Sequence, residues 1–285
     1  MAQTVPLRIV SFNIRYAATN RGINERPWST RAPLVIDLLK STASSASRTG
    51  SGTVISLQEV LSSQLQDIDR GLGNDWAYIG VGRDDGRTAG EYNPIFYQPS
   101  KMRLVFQQTK WLSPTPDVPS YGWNANSRRI VNVGVFQHVA TGRRFIAANT
   151  HLDNASSEAR TKGVQVVLRV IKDIQSRYGP LPVYLTGDFN SQPGEDAYTT
   201  VVNDGYLADM YTSANTVQKY GPYETFTGFD PATVDQIKSR IDFIWLGPKA
   251  NNRWTILRYE VLNNVKNNVY MSDHRAVVGD VWARY

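Results

Sequence analysis

Residues 159–190, ARTKGVQVVLRVIKDIQSRYGPLPVYLTGDFN, hold two different hydrophobic periods separated by a Gly-Pro step. In the first part Val164, Val167, Leu168, Ile171 and Ile174 recur at helical spacing, with Arg169, Lys172 and Asp173 off that stripe. Gly179-Pro180 ends the helix, so the spacing predicts a helix over residues 159–178. The apolar run 183–185 follows, short and flanked by turn residues as a buried strand is, and it empties into Thr186-Gly187-Asp188-Phe189-Asn190. A helix, a buried strand and a polar cluster at the strand's end make one unit of a layered α/β protein.

Similar short apolar runs occur at residues 7–12, 54–57, 95–97, 131–136, 145–148, 241–246 and 276–281. Further helices are expected at 31–40 and 62–72, the latter with Leu65, Ile68 and Leu72 on one side. The small polar stretch 41–52 reads as a surface loop. Strands outnumber helices and few connections are long enough for helical crossovers, which favours mixed sheets over a doubly wound parallel sheet. No stretch reads as an interdomain linker, so residues 1–285 are expected to form a single domain.

Composition narrows the chemistry. The 285 residues include no cysteine, which excludes disulfides, thiolate metal sites and cysteine nucleophiles. Hydrophobic residues make up 41% and charged residues 20%, an ordinary globular balance. The 31 Lys and Arg exceed the 25 Asp and Glu, a formal charge of +6 that suits a phosphate-bearing ligand without requiring one. No run is long and apolar enough for a membrane span, and residues 1–6 lack a secretory pattern, so an intracellular location is the expectation.

The apolar runs end in polar residues: Asn13 after 7–12, Gln58-Glu59 after 54–57, Asn149-Thr150-His151 after 145–148, and Asp188 and Asn190 after 183–185. Arg240-Ile241-Asp242 opens one later strand and Ser272-Asp273-His274 precedes another. Taken singly, an acid at a strand end is most often a solvated turn residue, and a lone histidine is as often structural as catalytic. His138, ahead of the turn Ala140-Thr141-Gly142, is read as structural or exposed. Together, such groups can converge on one rim of the sheets. Asp188 and Asn190, two apart in an extended segment, are expected to point to one side, with Phe189 in the core.

Ser11-Phe12-Asn13, Leu57-Gln58-Glu59, Asn149-Thr150-His151, Gly187-Asp188-Phe189-Asn190, Arg240-Ile241-Asp242-Phe243 and Ser272-Asp273-His274, in this order, resemble the motif set of the endonuclease/exonuclease/phosphatase superfamily. The resemblance runs over essentially the whole chain. It implies a DNase I-like four-layered α/β sandwich, two mixed β-sheets packed face to face with helices outside. It also implies a hydrolase of phosphate esters that uses Mg²⁺ or Mn²⁺. Glu59 and Asn13 would serve the metal, with Asp273 a further contributor; hard oxygen donors suit Mg²⁺. Asp188 would orient or deprotonate the attacking water, and Asn190 would orient it and bind a phosphate oxygen. His274, paired with Asp242, and His151, oriented by Glu91, would act on the phosphate or the leaving group. Residues 82–97 and 224–229 match neither the DNA-binding insertions of an AP endonuclease nor the membrane hairpin of a sphingomyelinase.

Three readings of the substrate follow. The first is a phosphodiesterase or nuclease acting on nucleic acid or nucleotide, with Arg83, Arg87, Arg128 and Arg129 for phosphates and Trp28, Tyr121, Trp123 and Phe226 for stacking. For each aromatic singly, core or lid packing is the slightly better reading. The second is a phosphomonoesterase or small-molecule phosphodiesterase for a sugar phosphate, inositol phosphate, nucleotide or lipid headgroup. The third, an inert protein-binding scaffold, conflicts with a complete motif set. No protein partner is implied.

Overall fold

In the computed structural model, which describes residues 4–47, 51–229 and 239–285, both faces of the strand Thr4–Asn13 are buried. Val5, Leu7 and Ile9 point to one side, and Val10 and Phe12 belong to a different cluster on the other. The alternation is that of a strand between two packed layers. This strand pairs in parallel with Gly52–Gln58 and antiparallel with Val277–Arg284, within a seven-stranded mixed sheet. The second sheet has six strands, in the order Met102–Trp111, Ile130–His138, Arg144–His151, Val183–Asp188, Asp242–Gly247 and Ala208–Asp209. It is also mixed: Val183–Asp188 runs parallel to Arg144–His151 and antiparallel to Asp242–Gly247.

The sheets face each other. Val5, Leu7, Ile9 and Val54 of the first share one core with Phe136, Phe145, Tyr184 and Ile244 of the second. On the outer face of the first sheet, Phe12, Ile55 and Leu57 pack under helices Trp28–Ser47 and Ser62–Leu72 through Val35, Leu39, Leu65 and Ile68. On the outer face of the second, Val133, Ile146 and Leu185 pack under Ser157–Tyr178 and Asp196–Asp204 through Val164, Val167, Ile171 and Val201. The four layers are helix, sheet, sheet, helix.

The predicted helix at 62–72 is Ser62–Leu72, and that at 159–178 is Ser157–Tyr178, capped at its start by the Ser156 side chain accepting from Ala159 N–H. The expected loop at 41–52 is a correction. The helix runs on to Ser47, residues 48–50 lie outside the described residues, and Gly52 opens a strand. Its small polar residues tolerate the helix because Ser41 and Ser45 return their hydroxyls to the carbonyls of Leu38 and Thr42, while Ala43 and Ala46 fall on the buried face below Leu39. Arg8, clamped by Asp280 at 2.6 Å, also donates to Thr42 O and Ser45 Oγ and pins this end of the helix to the sheet. Two strands had no clear apolar run, Met102–Trp111 and Trp254–Val261. Both carry a bulge and are only partly buried, so their side chains do not form a continuous hydrophobic signature.

Strand register decides which end becomes a site. Asn13 pairs with Gln58, His151 with Asp188, and Asp188 with Asp242, so the polar ends of five strands meet at one rim. Gly187 is required there: a Cβ would stand 2.3 Å from the carbonyl oxygen of Thr150, and its absence lets the His151 and Asp188 strands close together. Between the sheets Gln58 donates to Asn149 Oδ1 at 2.7 Å, and Asn149 returns a bond to Leu57 O at 2.8 Å. This buried amide pair ties the two rims into one surface.

Candidate active site

The rim opens into a cleft of about 710 Å³. Its floor comes from strand ends. Buried Asn13 donates both amide hydrogens, to Glu59 Oε1 and Asp188 Oδ2, each at 2.9 Å. Its oxygen accepts from the backbone N–H of Arg15 at 3.0 Å, and because that group can only donate, the orientation of the amide is determined. Asn13 therefore reaches the floor as a donor that holds two carboxylates. Glu59, at φ 59°, is turned off its strand into the cleft, where its other oxygen accepts from Tyr16 N at 3.2 Å and stands 3.9 Å from Arg15 Nη1. Arg15 and Asn190 also have left-handed backbones, at φ 58° and 45°. Side chains rarely take this region without a surrounding structure that imposes it, and here three such residues line one cleft.

Asn190 corrects the expected alternation with Asp188. The strand ends at Asp188, and the left-handed turn carries Asn190 back so that its N–H bonds Asp188 Oδ1 at 2.9 Å. Phe189 is buried, against Phe243 and Trp245. The Asn190 amide donates to Leu152 O and faces His151 Nε2, both at 3.1 Å. Since the carbonyl fixes that end of the amide as NH₂, Nε2 of His151 accepts and its proton sits on Nδ1. Among the described residues His151 Nδ1 has no hydrogen-bond partner, and Glu91 Oε2 is 3.8 Å away.

His274 is in the opposite state. Its Nδ1 donates to Asp242 Oδ2 at 2.8 Å, and its Nε2 lies 3.6 Å from Asp188 Oδ2. Burial works against charge on both histidines. For His274 the carboxylates of Asp242 and Asp188 outweigh it and hold the imidazole well above its usual range. For His151, Arg129 and Arg83 add to the burial and keep it neutral, well below that range. Burial, with Asp242 adding and His274 opposing, pushes Asp188 up to about 7. Burial, with Glu59 adding, also raises Asp273.

These acids are therefore short of positive charge. An oxygen of Glu59, an oxygen of Asp188 and a nitrogen of His274 lie within 4.8 Å of one another. The two carboxylates of this group fit a hard divalent cation, with Asp273 nearby as a further carboxylate, while charged His274 is a donor of hydrogen bonds and not a ligand.

The other wall is built from loops. Arg83 donates to Glu91 Oε2 at 2.6 Å, and Arg129 donates to Asn154 at 3.0 Å and lies 3.4 Å from Asp153. Burial, with Glu59 next, pushes Glu91 up to about 7. Of the basic and aromatic residues singled out for a nucleic acid, Arg83, Arg129 and Phe226 line the cleft, Phe226 edge-on to His274 at 4.9 Å between centroids. Trp28 opens a helix and bonds Asp67, Trp123 packs beside the helix at 157–178, and Arg128, over the ring of Tyr121, pairs with Asp84. Arg87 is exposed and outside the cleft lining, and His138 bonds Thr141 in its turn.

Sequence reasoning missed Arg15, Asp153 and Arg31. Arg31 is fully buried and donates to the carbonyls of Ile14, Arg15, Tyr16, Arg26 and Met271, joining the segment after the first strand to that before Ser272. An arginine on a helix ordinarily reads as solvent-facing, so nothing local marks it.

Comparison with known proteins gives the following. The model of the Endonuclease/Exonuclease/phosphatase family matches residues 10–274. A family protein from Bacteroides thetaiotaomicron is 31% identical at a TM-score of 0.85, over 99% of this chain and 97% of its own. A mannosyl-6-phosphatase from the same organism is 32% identical at a TM-score of 0.83, over 96% and 99%. The nocturnin of Drosophila melanogaster is 28% identical over 114 residues, which is 38% of this chain and 16% of that protein.

Proposed function

The chain belongs to the endonuclease/exonuclease/phosphatase family, whose members are phosphoric ester hydrolases, and from that premise we propose that it is a phosphomonoesterase for small, hydroxyl-rich esters such as sugar phosphates. The observation that carries this reading is the cleft itself. Its volume of about 710 Å³ is that of a small-molecule pocket, and polar loop residues such as Asn126, Asn154 and Gln192 line it. The nuclease reading drew on a charge of +6 and on loop aromatics. Yet Arg87 and Arg128 lie outside the cleft lining, and of the four aromatics only Phe226 reaches it. Tyr16, covered by Arg15, and Phe226, edge-on to His274, are the aromatic rings of the lining among the described residues. The mannosyl-6-phosphatase among the relatives favours the same choice.

Glu59 would hold Mg²⁺ or Mn²⁺, with Asp188 and Asp273 in reach, and such an ion supplies charge for the phosphate oxygens. Asn13 acts through the two carboxylates it holds, its own oxygen being taken by Arg15. The environments of the two histidines push their protonation apart, which assigns their work. Charged His274, fixed by Asp242, donates from Nε2 to a phosphate oxygen, and Asp188 receives a proton of the attacking water. Neutral His151, whose Nε2 is an acceptor beside Asn190, serves first to position that water. The decisive assay offers the purified protein, with Mg²⁺ or Mn²⁺, aryl and sugar phosphates, bis(aryl) phosphate and single-stranded DNA. Monoesters should be hydrolysed fastest and chelation should stop turnover; DNA cleaved faster than any monoester would reject the reading.

A further inference from the structure

We propose that Arg83 and Arg129 form a dianion subsite that makes the protein select phosphomonoesters over diesters, an inference that rests on the phosphomonoesterase reading. The two guanidiniums line the same cleft as His151 and are near enough that both oppose its charge. His151 Nε2 is 3.5 Å from Asp188 Oδ2, its Nδ1 is 3.8 Å from Glu91 Oε2, and that same Glu91 oxygen is 2.6 Å from Arg83 Nη1. His151 is thus in contact with both the acidic floor and the Glu91–Arg83 pair, so acid and guanidinium share one cleft.

Arg129 is buried, 7% exposed, and Arg83 is half-buried; among the described residues neither Nη1 of Arg129 nor the buried Nε of Arg83 has a hydrogen-bond partner. Beside the cleft, these donors are ones that an entering anion can satisfy. Arg129 is also under-neutralised. The carboxylate it faces, Asp153, already accepts from the backbone N–H groups of Asn126, Ser127, Ala155 and Ser156, and its contact with Arg129 is long at 3.4 Å. Burial and the nearby Arg129 both disfavour the charge of Arg83, and burial pushes Glu91 toward its neutral form, which weakens its hold on Arg83. An anion entering the cleft supplies negative charge to both guanidiniums.

The charge of that anion follows. A phosphomonoester has a second ionisation near pH 6 and carries close to two negative charges at neutral pH, whereas a diester carries one. The monoester also presents a third free oxygen where the diester carries a second organic group. Planar guanidiniums, with several donors in a fixed fork, match such oxygens better than ammonium groups would.

The test uses the whole chain and inorganic phosphate. Calorimetry in EDTA should detect phosphate binding to the wild type, and Arg83→Gln or Arg129→Gln should weaken it roughly 10- to 100-fold. With Mg²⁺ restored, either change should lower the ratio of kcat/KM for aryl phosphate to that for bis(aryl) phosphate by a similar factor. Because Arg129 braces a loop through Asp153, Arg83→Gln carries the test if Arg129→Gln fails to fold. Unchanged phosphate affinity in a folded Arg83→Gln protein, or equal losses for both esters, would overturn the subsite. A wild type that binds phosphate but turns over no monoester would instead defeat the phosphomonoesterase reading.

Discussion

On the floor of the cleft Asp188, Asp242 and His151 occupy paired positions on neighbouring strands, whereas on the wall Arg83, Glu91 and Arg129 are held by ion pairs, half-buried for Arg83 with Glu91 and buried for Arg129 with Asp153. Hydrogen-bonded register fixes the floor to fractions of an ångström, and the core between the sheets backs it. The wall depends on Asp153, Asn154 and Glu91, the last of which burial pushes toward its neutral form. Floor chemistry therefore tolerates little substitution, while the wall is where one member of a fold can differ from another in substrate.

The sharpest way to break the floor is Asp188→Asn. Both carboxylate oxygens accept, one from Asn13 and one from the Asn190 N–H, so the amide can satisfy only one of these donors. Loss of the group that receives the proton should lower kcat by roughly 10³-fold, about 4 kcal/mol, with the thermal midpoint held within about 5 °C. Single-turnover kinetics and a melting curve check both parts; a folded variant of undiminished rate would remove Asp188 from the reaction. Next in size is the dyad. If Asp242 acts only by holding His274, then Asp242→Asn should cost about 10²-fold in the wild type and nothing further in His274→Ala. Additive losses would mean that Asp242 touches the chemistry by another route.

This contrast also explains what could be read in the sequence. Floor residues sit within three residues of apolar runs: Glu59 follows residues 54–57, Asp188 follows 183–185, and Asp242 opens 241–246, so a pattern that marks buried strands marks them as well. The four layers were legible for the same reason, because Val164, Val167 and Ile171 declare a helix face and residues 7–12 a strand buried on both sides. What was not legible depends on contacts distant in the chain. The turn of the Asn13 amide is set by Arg15 and by carboxylates 46 and 175 residues away. Arg31 is called inward by carbonyls that only the folded chain assembles. The helix through residues 41–47 depends on Arg8 and Asp280, joined across 272 residues, where local composition suggests a loop.

The smallest expected effect separates the wall from the floor by acid. Arg160 pairs with Asp196 at 2.7 Å and also donates to the carbonyl of Asp153, so this ion pair backs the residue that holds Arg129. Burial alone would raise the Asp196 carboxyl, but the Arg160 guanidinium, with hydrogen bonds from Ser157 and Ala197 N–H, holds it down at about 2. A carboxylate depressed in the folded state contributes stability above its unfolded pKa of about 3.9, and loses it as pH falls through the folded value. Asp196→Asn should therefore lower the free energy of unfolding at pH 7 by at most about 1 kcal/mol, since solvent screens the pair. The difference from wild type should narrow as pH falls from about 4 toward 2. Urea titrations at pH 7, 4 and 2.5 measure it. If the gap stays constant across that range, the pair is not what backs the wall, and Arg129 must be placed by its contacts with Asp153 and Asn154 alone.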